Sequence, residues 1–243
     1  MKLGVIAAMD LELQKLLEYF PPQRKIQLAK NTFYIYEQKT SQVIMVCAGQ
    51  GKTNATLYSQ ILIDSFQIEQ LINIGICGCL NEKLQLFEMV LGEEYCHYDI
   101  RERQSINKFP YQLYYKGDKG MLAELQHLDE KIKCVRFGTG EGFVCDTTEK
   151  RNLIEQFSID CVDMESAAIA QCCFLNDCAF VSIRIICDRA DANAVKVTED
   201  TQTQAMEKVF ELVCAYINKK RKSLEQKSRK IFVPSLKSNI GWG

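Results

Sequence analysis

Continuous apolar runs alternate with periodic apolar stretches along this chain. "LGVIAA" (3–8) is a short unbroken apolar run, the pattern of a buried strand. "FYIYEQ" and "VIMVCAG" (33–38 and 43–49) predict a hairpin across the polar "KTSQ". "TNATLYSQILIDSF" (53–66) predicts a helix, and "LINIGICG" (71–78) a central strand ending in glycine. Further on, "FEMVLGEEYC" reads as a strand, "KGMLAELQHLDEKI" as a helix, and "CVRFGTGEGFV" as a strand running into a glycine-rich turn. "TEKRNLIEQF" is helical, "IDCVDM" a short strand, "SAAIAQCCFL" a buried helix, and "AFVSIRIICD" the strongest strand of all. Met206, Val209, Phe210, Val213, Cys214 and Ile217 then recur at helical spacing, which predicts an amphipathic helix.

Alternating strands and helices predict an α/β fold: a single three-layer domain with a central mixed, twisted sheet flanked by helices. In open α/β sheets ligands bind at the carboxyl ends of strands. The informative residues are therefore Met9 to Glu12, Gly49 to Gly51, Gly75 to Gly78, Gly140 to Phe143, Asp163 to Glu165, and Cys187-Asp188.

Composition narrows the class. With 243 residues, 47% hydrophobic and 25% charged, the chain suits one domain with a sizeable core. The first apolar run is interrupted by Asp10 and Glu12, so it reads as a strand rather than a signal peptide, and no stretch is long enough for a membrane span. Twelve cysteines include no CxxC pair, and two histidines give a zinc site little support. Buried, reduced thiols in a cytoplasmic protein are expected. Residues 219–243 carry eight Lys/Arg and one acid, a net of +7, which leaves −8 on residues 1–218. The expected division is a domain over 1–218 and a basic tail over 219–243. The acidic body argues against a nucleic-acid partner.

"VDMESAAIAQ" (162–171) concentrates the chemistry. Asp163 and Glu165 stand at the entrance of a segment too apolar for the surface, so both charges need partners or a function. Glu165 either caps the helix that opens at Ser166 or serves a ligand, and Asp163 is a candidate support or cap. Asp188 at its strand end has the same two readings. Asp10 and Glu12 suit a first helical turn as well as a site. Arg184 lies inside an apolar strand and requires a carboxylate, with Glu165 and Glu12 as candidates.

In order and spacing, "GVIAAMDLEL", "AGQGKTNA", "INIGICGCL", "GTGEGFV", "VDMESAAIAQ" and "VSIRIICDRAD" resemble the nucleoside phosphorylase superfamily, and within it the 5′-methylthioadenosine/S-adenosylhomocysteine nucleosidases. The resemblance spans nearly all of residues 1–217. It implies hydrolysis of the N-ribosidic bond of 5′-modified adenosines, as in methionine salvage, with no cofactor, no membrane partner and a homodimeric assembly. It assigns Glu12 as the base that activates water, Asp188 as the acid that protonates purine N7, and Arg184 as the group orienting water and acids. Glu165 would hold the ribose hydroxyls and Met164 pack on the sugar. Phe143 would stack on the base, and the backbone of Val144 read its edge, though both also suit ordinary core packing. Met9, Gln50, Cys77 and Gly78 complete the implied substrate contacts.

The chain also departs from that pattern. Ile76 replaces a usual serine, Cys79 a usual glycine, and Cys187 the serine before the acid. Gln50 stands where an aliphatic residue is common, and the usual aromatic lid falls near Val197 and Thr198. "HYDIRERQSINKFPYQ" lacks the aromatic-rich segment common there. These departures keep an inactive nucleoside-binding protein as an alternative. A phosphorylase is the other. It must hold a phosphate dianion with cations and hydroxyls. The turn Ile76 to Cys79 offers neither, and the first strand is followed by acids, so water is the expected nucleophile.

Overall fold

A computed structural model describes residues 1–38, 41–100, 107–191 and 194–231, with side chains along the last helix described for 206–226. The strands are β1 (Lys2–Ala7), β2 (Arg24–Leu28), β3 (Asn31–Gln38), β4 (Ser41–Cys47), β5 (Gln70–Cys79), β6 (Met89–His97), β7 (Tyr115–Lys116), β8 (Lys133–Thr139), β9 (Cys161–Asp163) and β10 (Ala179–Asp188). The helices are α1 (Asp10–Tyr19), α2 (Lys52–Phe66), α3 (Lys119–Leu128), α4 (Thr147–Phe157), α5 (Ser166–Leu175) and α6 (Ala194–Ile231).

All the strands join one mixed sheet, as the alternation of elements predicts. Its order is β10-β6-β8-β9-β5-β1-β4-β3-β2, with β7 on β6. One feature exceeds the expectation of a simple open sheet. β10 pairs both β6, antiparallel, and β5, parallel, so β5, β10, β6, β8 and β9 close on one another. The β1-β4-β3-β2 half stays open, and the β3–β4 hairpin forms with Gln38 opposite Ser41. Lys39 and Thr40 lie outside the described residues.

Two apolar layers enclose the sheet. On one face Leu13 and Leu16 of α1, Met121 and Leu125 of α3, and Val209, Val213 and Ile217 of α6 pack on Val5, Ile72 and Ile183. On the other face Ala55 and Leu62 of α2 and Ala167 and Ile169 of α5 pack on Ile6, Ile44 and Ile186. Leu153 and Phe157 of α4 form a smaller cluster with Val144 and Val162. Every residue of β10 after Ala179 is buried, which is why that strand reads as an unbroken apolar run.

The amphipathic helix predicted over 206–217 is the middle of α6, which continues through Lys219–Arg221 to Ile231. Eight of the twelve cysteines are buried, three are half-buried and Cys145 is exposed, and none is paired in a disulfide. No helix among the described residues is long and apolar enough to cross a membrane.

Candidate active site

The parallel strands β1, β5 and β10 end side by side, and the residues that follow them surround a pocket of about 180 Å³. All eleven residues predicted from the sequence line it: Met9, Glu12, Gln50, Cys77, Gly78, Phe143, Val144, Met164, Glu165, Arg184 and Asp188. Tyr98, Gly142, Val162 and Asp163 complete much of the wall.

Glu12 sits one turn into α1 and is buried, whereas Asp10 is exposed. The Glu12 carboxylate reaches back to the helix start. It accepts the N–H groups of Ala8 and Met9 at 3.0 Å each, and that of Ile76 at 3.1 Å. Burial nevertheless pushes its pKa from the ordinary 4.5 up to about 7, against the opposing pull of Arg184 and these N–H groups. A carboxyl poised near neutrality is suited to accept a proton.

Arg184 is buried, and each of its three guanidinium nitrogens has an acceptor. It donates to the Asn73 side-chain oxygen at 2.6 Å, to Ser182 Oγ at 3.2 Å and to the Ile76 carbonyl at 3.0 Å. It pairs with Glu165 at 3.2 Å and with Asp163 at 3.3 Å. Of the two partners expected, Glu165 makes the contact; Glu12 acts on Arg184 through its charge, and Asp163 takes the second bridge. Although burial works against it, these carboxylates hold the guanidinium pKa above its ordinary value.

Gly75 makes this crowding possible. A Cβ there would stand 2.6 Å from both Arg184 Nη1 and Glu12 Oε1, so any side chain would drive the two charges apart. Gly78 does the same for Asp188, whose Oδ1 would lie 2.8 Å from an added Cβ.

Glu165 occupies the N-cap position of α5 but does not cap it. Its Oε1 accepts from the Gly51 N–H at 3.0 Å, and Oε2 faces Arg184. Asp163 supplies the cap: Oδ1 accepts from the backbone of Glu165 and Ser166 at 3.2 and 3.1 Å and from Thr139 Oγ1 at 2.6 Å. Burial raises the Glu165 pKa, with Arg184 opposing and Asp163 adding to the rise. Asp188, also buried, lines the pocket while its Oδ1 accepts from Ala190 N–H at 2.7 Å.

The side chains of Ile76, Cys187 and Gln50 make none of these bonds. Ile76 contributes its N–H to Glu12 and its carbonyl to Arg184, while its side chain packs on the core. Cys187 is buried in that same core. Gln50 is exposed, and its carbonyl accepts from Asn54. Phe143 is 46% exposed at the mouth and Val144 is buried. The side chains of Val197 and Thr198, and residues 101–106 of the segment after β6, lie outside the described residues.

Sequence reasoning missed Asn73 and Tyr98. Asn73 is a polar residue within an apolar run, a signal that a partner waits in the core. Its side chain accepts from Arg184, Ser166 and Ser182 and donates to the Ile6 carbonyl. Tyr98 follows β6, and its hydroxyl donates to the Gly142 carbonyl at 3.1 Å, bracing the Phe143 loop.

The family model described as the phosphorylase superfamily matches residues 2–218. An aminodeoxyfutalosine nucleosidase from Campylobacter jejuni is 26% identical over 206 residues, covering 80% of this chain and 88% of that protein. A 5′-methylthioadenosine/S-adenosylhomocysteine nucleosidase from Desulfotalea psychrophila is 28% identical over 234 residues, covering 88% and 97%. Among solved structures, an MTA/SAH nucleosidase from Streptococcus pneumoniae in complex with 8-aminoadenine superposes with a TM-score of 0.83 at 25% identity, covering 89% of this chain and 99% of that one.

Proposed function

Because the chain belongs to the phosphorylase superfamily, we propose that it hydrolyses the N-ribosidic bond of 5′-modified adenosines. The products are adenine and the ribose derivative, and 5′-methylthioadenosine, S-adenosylhomocysteine and 5′-deoxyadenosine are the substrates of interest. One observation carries the choice of water over phosphate. Among the described residues four carboxylates line the pocket, and the one lining cation, Arg184, is already bonded to two of them. A phosphate dianion would meet repulsion from these carboxylates and, among the described residues, no free donor of positive charge.

The roles follow from charge development. Cleaving the bond leaves positive charge on the sugar, and Glu165 on the ribose hydroxyls stabilises that charge more than the neutral substrate. Arg184 keeps Glu165 in place and favours its ionised form against the burial that raises its pKa. Asp188 donates a proton to purine N7, so adenine leaves neutral, and Glu12 takes the proton of the attacking water. Phe143, Val144, Cys77 and Gly78 hold the base; Met164 packs on the sugar; Met9 and Gln50 face the 5′ side.

The same reading extends to assembly: a cytoplasmic homodimer, with residues 1–218 as the catalytic domain and 219–243 as a basic tail. Leu57 on α2 and Leu175 at the end of α5 are exposed along one open groove, which supports an interface on that side. Light scattering that finds a monomer at micromolar concentration removes the dimer.

The deciding experiment incubates the protein with methylthioadenosine, adenosylhomocysteine, 5′-deoxyadenosine, aminodeoxyfutalosine, adenosine and inosine, with and without phosphate. Free adenine and a reducing sugar, independent of phosphate, are expected. Ribose 1-phosphate products identify a phosphorylase instead, and binding without base release identifies an inactive homologue.

A further inference from the structure

Three thiols meet behind the floor of the pocket. Cys77 and Cys79 lie on one face of β5, and Cys161 on β9 stands directly opposite Cys79. The Leu80 N–H donates to the Asp160 carbonyl at 2.8 Å, one step along the same ladder. Bonded and non-bonded pairs alternate in an antiparallel ladder, so Cys79 and Cys161 form a non-bonded pair. Such pairs hold their Cα atoms about 4.5 Å apart, with side chains at their closest. Disulfides form across Cα separations of about 4.4–6.8 Å. The Cys79 thiol donates to the Asn81 carbonyl at 3.1 Å.

The surroundings favour reactivity at Cys79. Arg189 Nη1 lies 3.9 Å from its sulfur, and Lys150 Nζ donates to the carbonyls of Cys79 and Arg189 at 3.2 and 2.6 Å. The neighbouring Cys161 thiol, with Arg189 and Lys150 behind it, brings the Cys79 thiol down to about 7 in spite of burial. Both cationic residues are half-buried, whereas Cys79 and Cys161 are themselves fully buried.

We propose that Cys79 and Cys161 are an oxidation site: hydrogen peroxide joins them in a disulfide that distorts the adjoining pocket floor and lowers activity. The Cys79 thiolate attacks one peroxide oxygen, forming a sulfenic acid as hydroxide departs and takes up a proton to become water. The Cys161 sulfur then attacks the sulfenic sulfur, its proton leaving with the hydroxyl as a second water. Two thiols lose two electrons, and one peroxide gains them.

The link to the pocket is the next pair on the ladder. Gly78 and Val162 face each other, both line the pocket, and Asp188 rests against Gly78. A disulfide draws opposed Cβ atoms from about 4.5–5.5 Å to about 3.8 Å. A misplacement of about 1 Å at reacting groups costs on the order of 10²-fold. This activity readout rests on the proposed hydrolysis, whereas the disulfide is detected without substrate.

The test treats the reduced full-length protein with hydrogen peroxide, blocks remaining thiols and maps peptides by mass spectrometry. A Cys79–Cys161 linked peptide is expected, with at least a roughly ten-fold loss of kcat/KM that dithiothreitol restores. C161S should keep its activity through the same treatment, and C79S gives the same reading if C161S folds poorly. Absence of the linked peptide, linkage of Cys77 instead, or equal inactivation of the serine variants overturns the proposal. If no nucleoside is hydrolysed, calorimetry with adenine replaces the rate. Linkage that leaves either readout unchanged overturns the coupling to the pocket.

Discussion

The inner wall of the pocket and its rim are built on opposite principles. On the inner wall Glu12, Asp163, Glu165 and Arg184 are buried and bonded to one another, to backbone or to Asn73 behind them. At the rim Gln50 and Phe143 are exposed, and the Gln50 contact with Asn54 uses only its backbone carbonyl. A satisfied buried network fixes geometry, because moving any member leaves a charge or dipole unpaired in low dielectric. An exposed rim carries no such penalty and can change without unfolding the protein. Chemistry therefore belongs to the inner wall and selection among 5′ groups to the rim. Inner-wall variants should change rate or folding and leave substrate ratios alone, while rim variants do the reverse.

The largest effect is expected from Asp188→Asn. An amide cannot protonate N7, so kcat should fall by about 10²–10⁴-fold with the fold intact. Retention of more than about a tenth of wild-type kcat contradicts general acid catalysis at this position. Glu12→Gln should lose hydrolysis and still bind substrate in calorimetry, since it removes the base and no contact to the purine. Loss of both together would mark Glu12 as structural, acting through its three backbone bonds. In neither variant should the ratio between methylthioadenosine and adenosine binding change.

Arg184→Met tests the network as a structure. It leaves Asp163 and Glu165 buried without their counter-charge, and breaking such a pair costs about 3–5 kcal/mol. Chemical denaturation should register that loss; a variant within about 1 kcal/mol of wild type would show that the carboxylates take up protons or water at little cost.

How far the sequence revealed these two regions follows from the same contrast. Apolar runs mark buried strands, and a charge at the end of such a run is conspicuous, so Glu12, Glu165, Arg184 and Asp188 were legible. Asn73 hides because one amide does not break an apolar run. β2 was missed because its segment "RKIQL" is polar and largely exposed at the sheet edge, and β7 because two residues carry no periodicity. The closure of β10 onto both β5 and β6 is a long-range pairing with no local signature. Tyr98 acts through one hydroxyl on a loop, which nothing in its neighbours announces.

The network also predicts opposite trends of stability and rate with pH. Folding raises the Glu12 pKa from 4.5 to about 7, and that of Glu165 in the same direction. The folded chain therefore binds protons more tightly than the unfolded one. The resulting stabilisation is present below about 4.5 and is lost as pH rises to about 7, a change of roughly 3 kcal/mol for Glu12. Hydrolysis needs the carboxylate and should rise over the same interval. Thermal unfolding of the ligand-free protein between pH 5 and 8 should show the decline, and Glu12→Gln should flatten it. An unchanged slope in that variant would mean another group dominates.

The smallest effect is expected at the rim, from Gln50→Ile. Gln50 lines the pocket beside Met9 on the side assigned to the 5′ substituent, where related nucleosidases commonly carry an aliphatic residue. Because its side chain is exposed, water satisfies the amide, and replacing it costs no buried hydrogen bond. Isoleucine would gain only a partial apolar contact with a thioether, about one methylene's worth at roughly 0.8 kcal/mol, or about four-fold. The wild type should therefore discriminate less sharply between methylthioadenosine and adenosine than an aliphatic rim allows, and accept 5′ groups able to hydrogen-bond an amide. Comparing kcat/KM for methylthioadenosine, adenosylhomocysteine and adenosine in both proteins decides the matter. A rise in thioether preference with unchanged kcat keeps selection at the rim. If wild type already prefers the thioether strongly and isoleucine adds nothing, Gln50 points away from bound substrate. A fall in kcat instead would show the rim reaching into the chemistry, and the separation between the two regions would fail.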